Sequence, residues 1–171
     1  MFRMLDEDSP ISKEDLLQFE EILGKKLPEV MKNFYLKNNG GQPQVSGVHD
    51  EHHLFPFNSF NSLEEMSKSL TWYDDEAVPA GFRATDLLHF AYDPGSGNYA
   101  LSLREEDYGM VCFYVLEETA EIYGQWASFE DFLNSFVEEW DEKGEGMRKH
   151  QELLLEQIIE QVRVDKLASD D

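Results

Sequence analysis

The chain has 171 residues, with 14 Lys and Arg against 36 Asp and Glu, a formal net charge of −22. A polyanion must be met by Lys and Arg, so this charge excludes DNA, RNA and anionic lipid surfaces as partners and favours a basic protein. Hydrophobic residues make up 41% and aromatics 13% of the chain, too much for a disordered acidic tail and enough for one core. Half of the excess charge, −11, falls within residues 101–146.

The N-terminal stretch Met1–Asp8 is too acidic for a signal peptide, and no run nears the roughly 18 apolar residues of a membrane span. The single cysteine, Cys112, excludes an internal disulfide. A reducing cytoplasm is the expected location.

In chain order, Ser12 and Asp15 form a capping-box pair ahead of Leu16, Phe19, Ile22 and Leu23 at helical spacing, and Gly24 ends that helix. Pro28 opens a second helix with Val30, Met31, Phe34 and Tyr35 as its apolar stripe. Asn38-Asn39-Gly40-Gly41 stops it. Residues 42–61 suggest short strands, around Val45 and Val48 and around Leu54-Phe55-Pro56-Phe57. Ser62 and Glu65 cap a short helix with Leu63, Met66 and Leu70 inward, and residues 74–84 show no period.

Residues 87–92, 99–103 and 110–115 are expected strands of an antiparallel meander, the first two joined by the turn Asp93-Pro94-Gly95-Ser96-Gly97-Asn98. Ser128 caps a helix whose apolar face runs from Phe129 through Phe132, Leu133, Phe136 and Val137 to Trp140. A polar linker over 141–146 precedes a final helix near 147–164, either docked on the domain or used for a partner or a second copy. The tally is an α+β domain over residues 1–140, a central mostly antiparallel sheet with helices packed against it, followed by an appendage at 141–171.

The chemistry-bearing residue types are present without recognisable catalytic spacing. His49, His52 and His53 sit with Asp50 and Glu51, but no helical period aligns two imidazoles, so a solvated loop outweighs a metal site or a metal-dependent hydrolase. His89, in a strand, reads as a packed or hydrogen-bonded residue. The match of residues 95–100 to G-x-G-x-x-A is followed by a strand, whereas a dinucleotide fingerprint needs a helix there. No nucleophile elbow, P-loop or Cys-x-x-Cys occurs, and Cys112 lies in the most core-like strand. No catalytic residue, cofactor or metal is assigned.

Two segments stand out as partner contacts. Trp72 and Tyr73 adjoin Asp74, Asp75 and Glu76; Glu105, Glu106 and Asp107 adjoin Tyr108. Aromatics beside carboxylates suit a basic protein surface, while a fold of residues 72–73 over the sheet is the competing reading.

The order of these elements resembles the SUKH superfamily, which includes the fungal cell-wall-assembly regulator domain and many bacterial immunity proteins. The resemblance spans roughly residues 12–140. It rests on Leu23-Gly24, Leu27-Pro28, Phe34, Asn39-Gly40-Gly41, Phe90-Ala91-Tyr92-Asp93, Tyr99-Ala100-Leu101-Ser102-Leu103, Val111-Cys112-Phe113-Tyr114 and Ser128-Phe129-Glu130-Asp131-Phe132-Leu133. Met31 stands where the family often has an aromatic residue, and Asn98 where an acidic residue commonly follows the turn glycines. The resemblance implies a binding protein: an immunity protein that neutralises a toxin domain, often a nuclease, or a scaffold of cell-wall assembly or signalling.

Overall fold

The computed structural model describes residues 3–44, 47–117 and 119–136, together with positions 159, 160, 163, 164 and 166–168, which are helical. The expectations for Val45, Val137, Trp140, the 141–146 linker and most of the final helix lie outside the described residues.

Capping chemistry sets the first half of the chain. Helix α1 (Lys13–Leu23) begins at the Ser12/Asp15 capping box, and Gly24 closes it at φ 73°, a left-handed position that glycine takes without steric cost. Helix α2 (Glu29–Lys37) follows Pro28. Helix α3 (Leu63–Ser69) starts at the reciprocal Ser62/Glu65 box. Gly40, at φ 79°, lies where a Cβ would come 2.7 Å from the Ser62 backbone nitrogen, so the end of α2 can be laid against the start of α3 only with glycine there.

Short strands fill the chain around these helices. Strand β1 (Met4–Leu5) pairs with β2 (Gln42–Pro43), and β3 (Gly47–His49) with β4 (Leu54–Pro56). The main sheet is fully antiparallel, in the order β5 (Ser59–Phe60), β6 (Leu87–Tyr92), β7 (Gly97–Ser102), β8 (Val111–Leu116), β9 (Ala120–Trp126). Helix α4 (Phe129–Asn134) follows, with the Ser128 hydroxyl accepting from the Asp131 N–H. The expected three-stranded meander is therefore present, extended by β5 at one edge and β9 at the other. The missed strand, β9 (Ala-Glu-Ile-Tyr-Gly-Gln-Trp), alternates in burial, but Ala120 and Gly124 at inward positions and Tyr123 at an outward one blur the pattern in the sequence.

Both faces of the sheet are covered. One face meets the helices through aromatic rings: Phe60, Phe90, Phe129 and Phe132 are all buried, and Phe132 makes edge-on contacts with Phe90, Trp126 and Phe136. Leu16, Phe19, Met31, Phe34 and Tyr35 enter this core from α1 and α2. Ile22, expected in the stripe of α1, is instead 70% exposed. The inward place is taken by Glu20, whose Oε2 accepts the Leu27 N–H at 2.7 Å and so fixes the α1–α2 turn. Val30 is likewise exposed on α2.

The second face is covered by residues 73–84, the segment without a period. Val78, Leu87, Ala100, Cys112 and Tyr114 form a small cluster there, flanked by Tyr73, Phe82, Ala84, Met110 and Ile122. Among the described residues no helix is long and apolar enough to cross a membrane.

Candidate functional site

The first candidate segment grows out of α3. The Trp72 N–H bonds to the Ser69 carbonyl, which turns the chain off the helix and leaves the indole 71% exposed. Tyr73 points the other way. Its ring stacks on His89 at 3.7 Å between centroids and 9° between planes, and its hydroxyl donates to Asn98 Oδ1 at 3.2 Å. The fold over the sheet therefore holds for Tyr73, while Trp72 stays exposed.

The carboxylates behind them hold the segment in shape. Asp74 Oδ1 accepts the N–H groups of Glu76 and Ala77, closing a tight turn. Asp75 Oδ1 accepts the Ala84 N–H at 2.8 Å, which ties the two ends of the covering segment together. Glu76 is exposed.

Beneath Tyr73 lies a buried polar pair that sequence reasoning did not assemble. His89 Nε2 is 2.6 Å from the Tyr114 hydroxyl. Burial pulls the His89 imidazole down to about 4, so it is neutral at pH 7, and burial raises the Tyr114 phenol well above its ordinary range. Asn98 stands on the next strand, so the residue that departs from the family pattern holds Tyr73 down. Cys112 is buried on the same face, and burial pushes its thiol up to about 12, which leaves no thiolate for nucleophilic chemistry at pH 7.

The second candidate segment is the β7–β8 loop. Asp107 is not presented to solvent as a free carboxylate. Its Oδ1 accepts the Ser102 hydroxyl at 2.5 Å and the Arg104 Nε–H at 3.1 Å, and its Oδ2 accepts from Arg104 Nη2 at 2.5 Å. The guanidinium, first, and then Ser102 hold the Asp107 carboxyl below the usual carboxylate range despite the opposing effect of partial burial. Arg104 also donates to the Gly81 carbonyl at 2.9 Å and lies 3.7 Å over the Phe82 ring. It is thus the clasp that joins the loop to the covering segment. Glu105 and Glu106 are exposed, and Tyr108 is half-exposed with its hydroxyl donated to the Lys26 carbonyl.

The covering segment, residues 72–86, and the Arg104–Asp107 loop form one layer joined by the Arg104–Gly81 bond, whereas Tyr108 turns to the Lys26 carbonyl between α1 and α2. Trp72, Glu76, Glu105, Glu106 and Tyr108 are exposed. Tyr73, Asp74, Asp75 and Asp107 hold that layer in place. The connection through Arg104 had no signature in the sequence, since its partners are 3 and 23 residues away.

The other motifs have local explanations. Asp93 Oδ1 accepts the N–H groups of Gly95 and Gly97, both at 2.8 Å, so the glycine run is a hairpin turn between β6 and β7. Asp50 Oδ1 accepts the N–H groups of His52 and His53, and the two imidazole centroids lie 6.1 Å apart. Among the described residues no three His, Cys, Asp or Glu side chains converge as a metal site would require. Two open clefts exist. One, about 590 Å³, lies between the N-terminal arm, α1 and α3 and includes Asp8, Asp15, Phe19 and Ile22. The other, about 530 Å³, runs beside β9 and the β3–β4 turn. Asp74, Asp75 and Asp107 are thus engaged in turns and clasps, while Glu76, Glu105 and Glu106 are exposed.

The sequence profile of the SMI1 / KNR4 family (SUKH-1) matches residues 10–135. The chain belongs to that family. The match covers α1 through α4 and leaves out the C-terminal stretch. It places this SUKH-1 protein among immunity proteins and cell-wall regulators, which are generally binding proteins rather than enzymes. No curated protein matches the chain.

Proposed function

We propose that this SUKH-1 protein is an immunity protein that works in the cytoplasm, neutralising a basic toxin domain of nuclease type by stoichiometric binding. The observation that carries the reading is Trp72: a large aromatic, 71% exposed, held on a turn closed by Asp74 and flanked by carboxylates. An exposed tryptophan on a fixed platform is the residue type and the setting of an interface anchor. The net charge of −22 supplies the complementary half of the argument. A nuclease cleft holds a polyanion and is therefore basic, and an acidic protein meets it quickly by electrostatic steering and can occupy it in place of phosphate. In this reading Trp72 is buried at the centre, Tyr108 packs at the side, and Glu76, Glu105 and Glu106 orient the complex.

The test is co-expression with the product of a neighbouring toxin-like reading frame. A 1:1 complex that suppresses toxin activity, and that is weakened by Trp72→Ala and by Glu105→Lys/Glu106→Lys, supports the proposal. Stable expression of that product without protection, or association only with an endogenous cell-wall enzyme, overturns it; the latter result favours the regulatory scaffold. Asp74, Asp75 and Asp107 are unsuitable for charge reversal, because each holds the fold of its segment.

A further inference from the structure

The two edges of the main sheet are finished differently. At one end β5 is only two residues long, and its outer side is closed by Phe60, which exchanges both backbone hydrogen bonds with Gly41. At the other end β9 is seven residues long and, among the described residues, pairs with β8 alone. Its outer side faces the cleft of about 530 Å³, where Ile122, Tyr123, Gly124, Gln125 and Trp126 form one wall and Asp50, Glu51 and His52 the other. A long strand edge left open in this way is a template for one more strand.

We propose that the outer edge of β9 receives an extended, basic segment of a partner protein, which pairs with it as a sixth strand. Charge selects this occupant. Residues 117–136 contain five Asp or Glu and no Lys or Arg, and Glu51, Glu117 and Glu121 are exposed. A second copy of the chain would set this acidic edge against itself, and like charges facing across a strand pair are destabilising. A Lys- or Arg-bearing strand meets the opposite sign on both sides. Tyr123, 48% exposed in the middle of β9, offers a ring face to one of its cations. Backbone pairing supplies affinity and the alternating side chains supply selectivity, as in other strand additions. This surface is separate from the Trp72 layer, so the inference stands or falls independently of the toxin reading.

The test uses the full chain and a nine-residue probe peptide alternating Lys with Val. A second version carries N-methyl groups at alternate residues, which removes edge donors and keeps the charge. Affinity is measured by calorimetry and the site by amide hydrogen exchange. The expected result is slowed exchange within residues 120–126 on adding the Lys/Val peptide, and an affinity lowered on the order of 10-fold or more by N-methylation. Glu121→Lys is expected to weaken binding roughly 2- to 5-fold at low salt. Four results overturn the proposal: no binding of the Lys/Val peptide, equal binding of both peptides, protection mapped to residues 72–76 instead, or β9 amides directed away from β8 already protected without peptide. The last result means that a second copy or the chain's own tail occupies the edge, and its dependence on protein concentration tells these apart.

Discussion

The two faces of the sheet are covered by different means. The helical face is packed by aromatic rings from helices and strands alike, with Phe132 touching Phe90, Trp126 and Phe136. The opposite face is covered by a segment lacking regular structure apart from one short turn of helix at Ala84–Asp86. That segment is held by Tyr73 on His89, by Asp75 on Ala84 and by the Arg104 clasp. Dispersion and apolar burial are insensitive to small changes in direction, so they suit a wide interface between helices and a sheet. Hydrogen bonds and ring stacking have strict geometry, so a few of them can fix a coil in one conformation. The difference teaches how an irregular segment can be fixed by a few directional contacts and still leave Trp72 exposed beside them.

The largest effect is expected on the helical face. Phe132→Ala removes a fully buried ring and should lower unfolding free energy by about 3–5 kcal/mol in urea titration. If the loss is no larger than for Tyr73→Ala, the contrast between the faces is wrong. Next comes the polar pair. Tyr114→Phe leaves His89 Nε2 without its buried partner and should cost about 1–3 kcal/mol, read in the same titration.

The pair also carries a pH signature. The folded His89 pKa, about 4, lies below the ordinary imidazole value of 6.5, so the unfolded state binds the proton more readily. His89 therefore supports the fold fully above pH 6.5 and loses that support as pH falls through 4. The stability difference between wild type and His89→Gln should shrink toward acid by about 1.4 kcal/mol per pH unit at most. Subtracting the variant removes the opposing trend from protonation of the 36 carboxylates.

Arg104→Met should be milder, about 1–2 kcal/mol, because it removes charge-assisted hydrogen bonds while keeping an apolar stem over Phe82. Its sharper readout is faster amide exchange at residues 103–109. Trp72→Ala should change stability by less than about 0.5 kcal/mol, as expected for an exposed side chain, while costing partner affinity about 2 kcal/mol or more. A large stability loss instead would place Trp72 with the covering contacts rather than the display.

Much of the helical face was legible in the sequence. The capping boxes at Ser12 and Ser62, the cap at Gly24 and the stripe of Met31, Phe34 and Tyr35 are local patterns, settled by neighbours three or four residues apart. The family likeness was legible for the same reason, being an ordered series of such patterns. Ile22 was misjudged and Glu20 passed over because their exchange depends on Leu27, in the next turn, which needs an acceptor for its N–H. Strand β9 was missed because Ala120 and Gly124 hold inward positions and Tyr123 an outward one, which hides its alternating burial.

The charge of −22 and its concentration in residues 101–146 are properties of the sequence alone. So are the helix starts, since capping acts within one turn; the end of α4 at Asn134 is not, because Phe136, expected on its apolar face, leaves the helix to bridge Val48. The tertiary structure decided which carboxylates serve the fold and which face outward. Asp75 meets a backbone group nine residues away, and Arg104 reaches Gly81 across 23. Tyr73 meets Asn98 across 25, and only the strand order puts them together. A side chain's local pattern fixes its element, but its partner is fixed by which elements the sheet brings side by side.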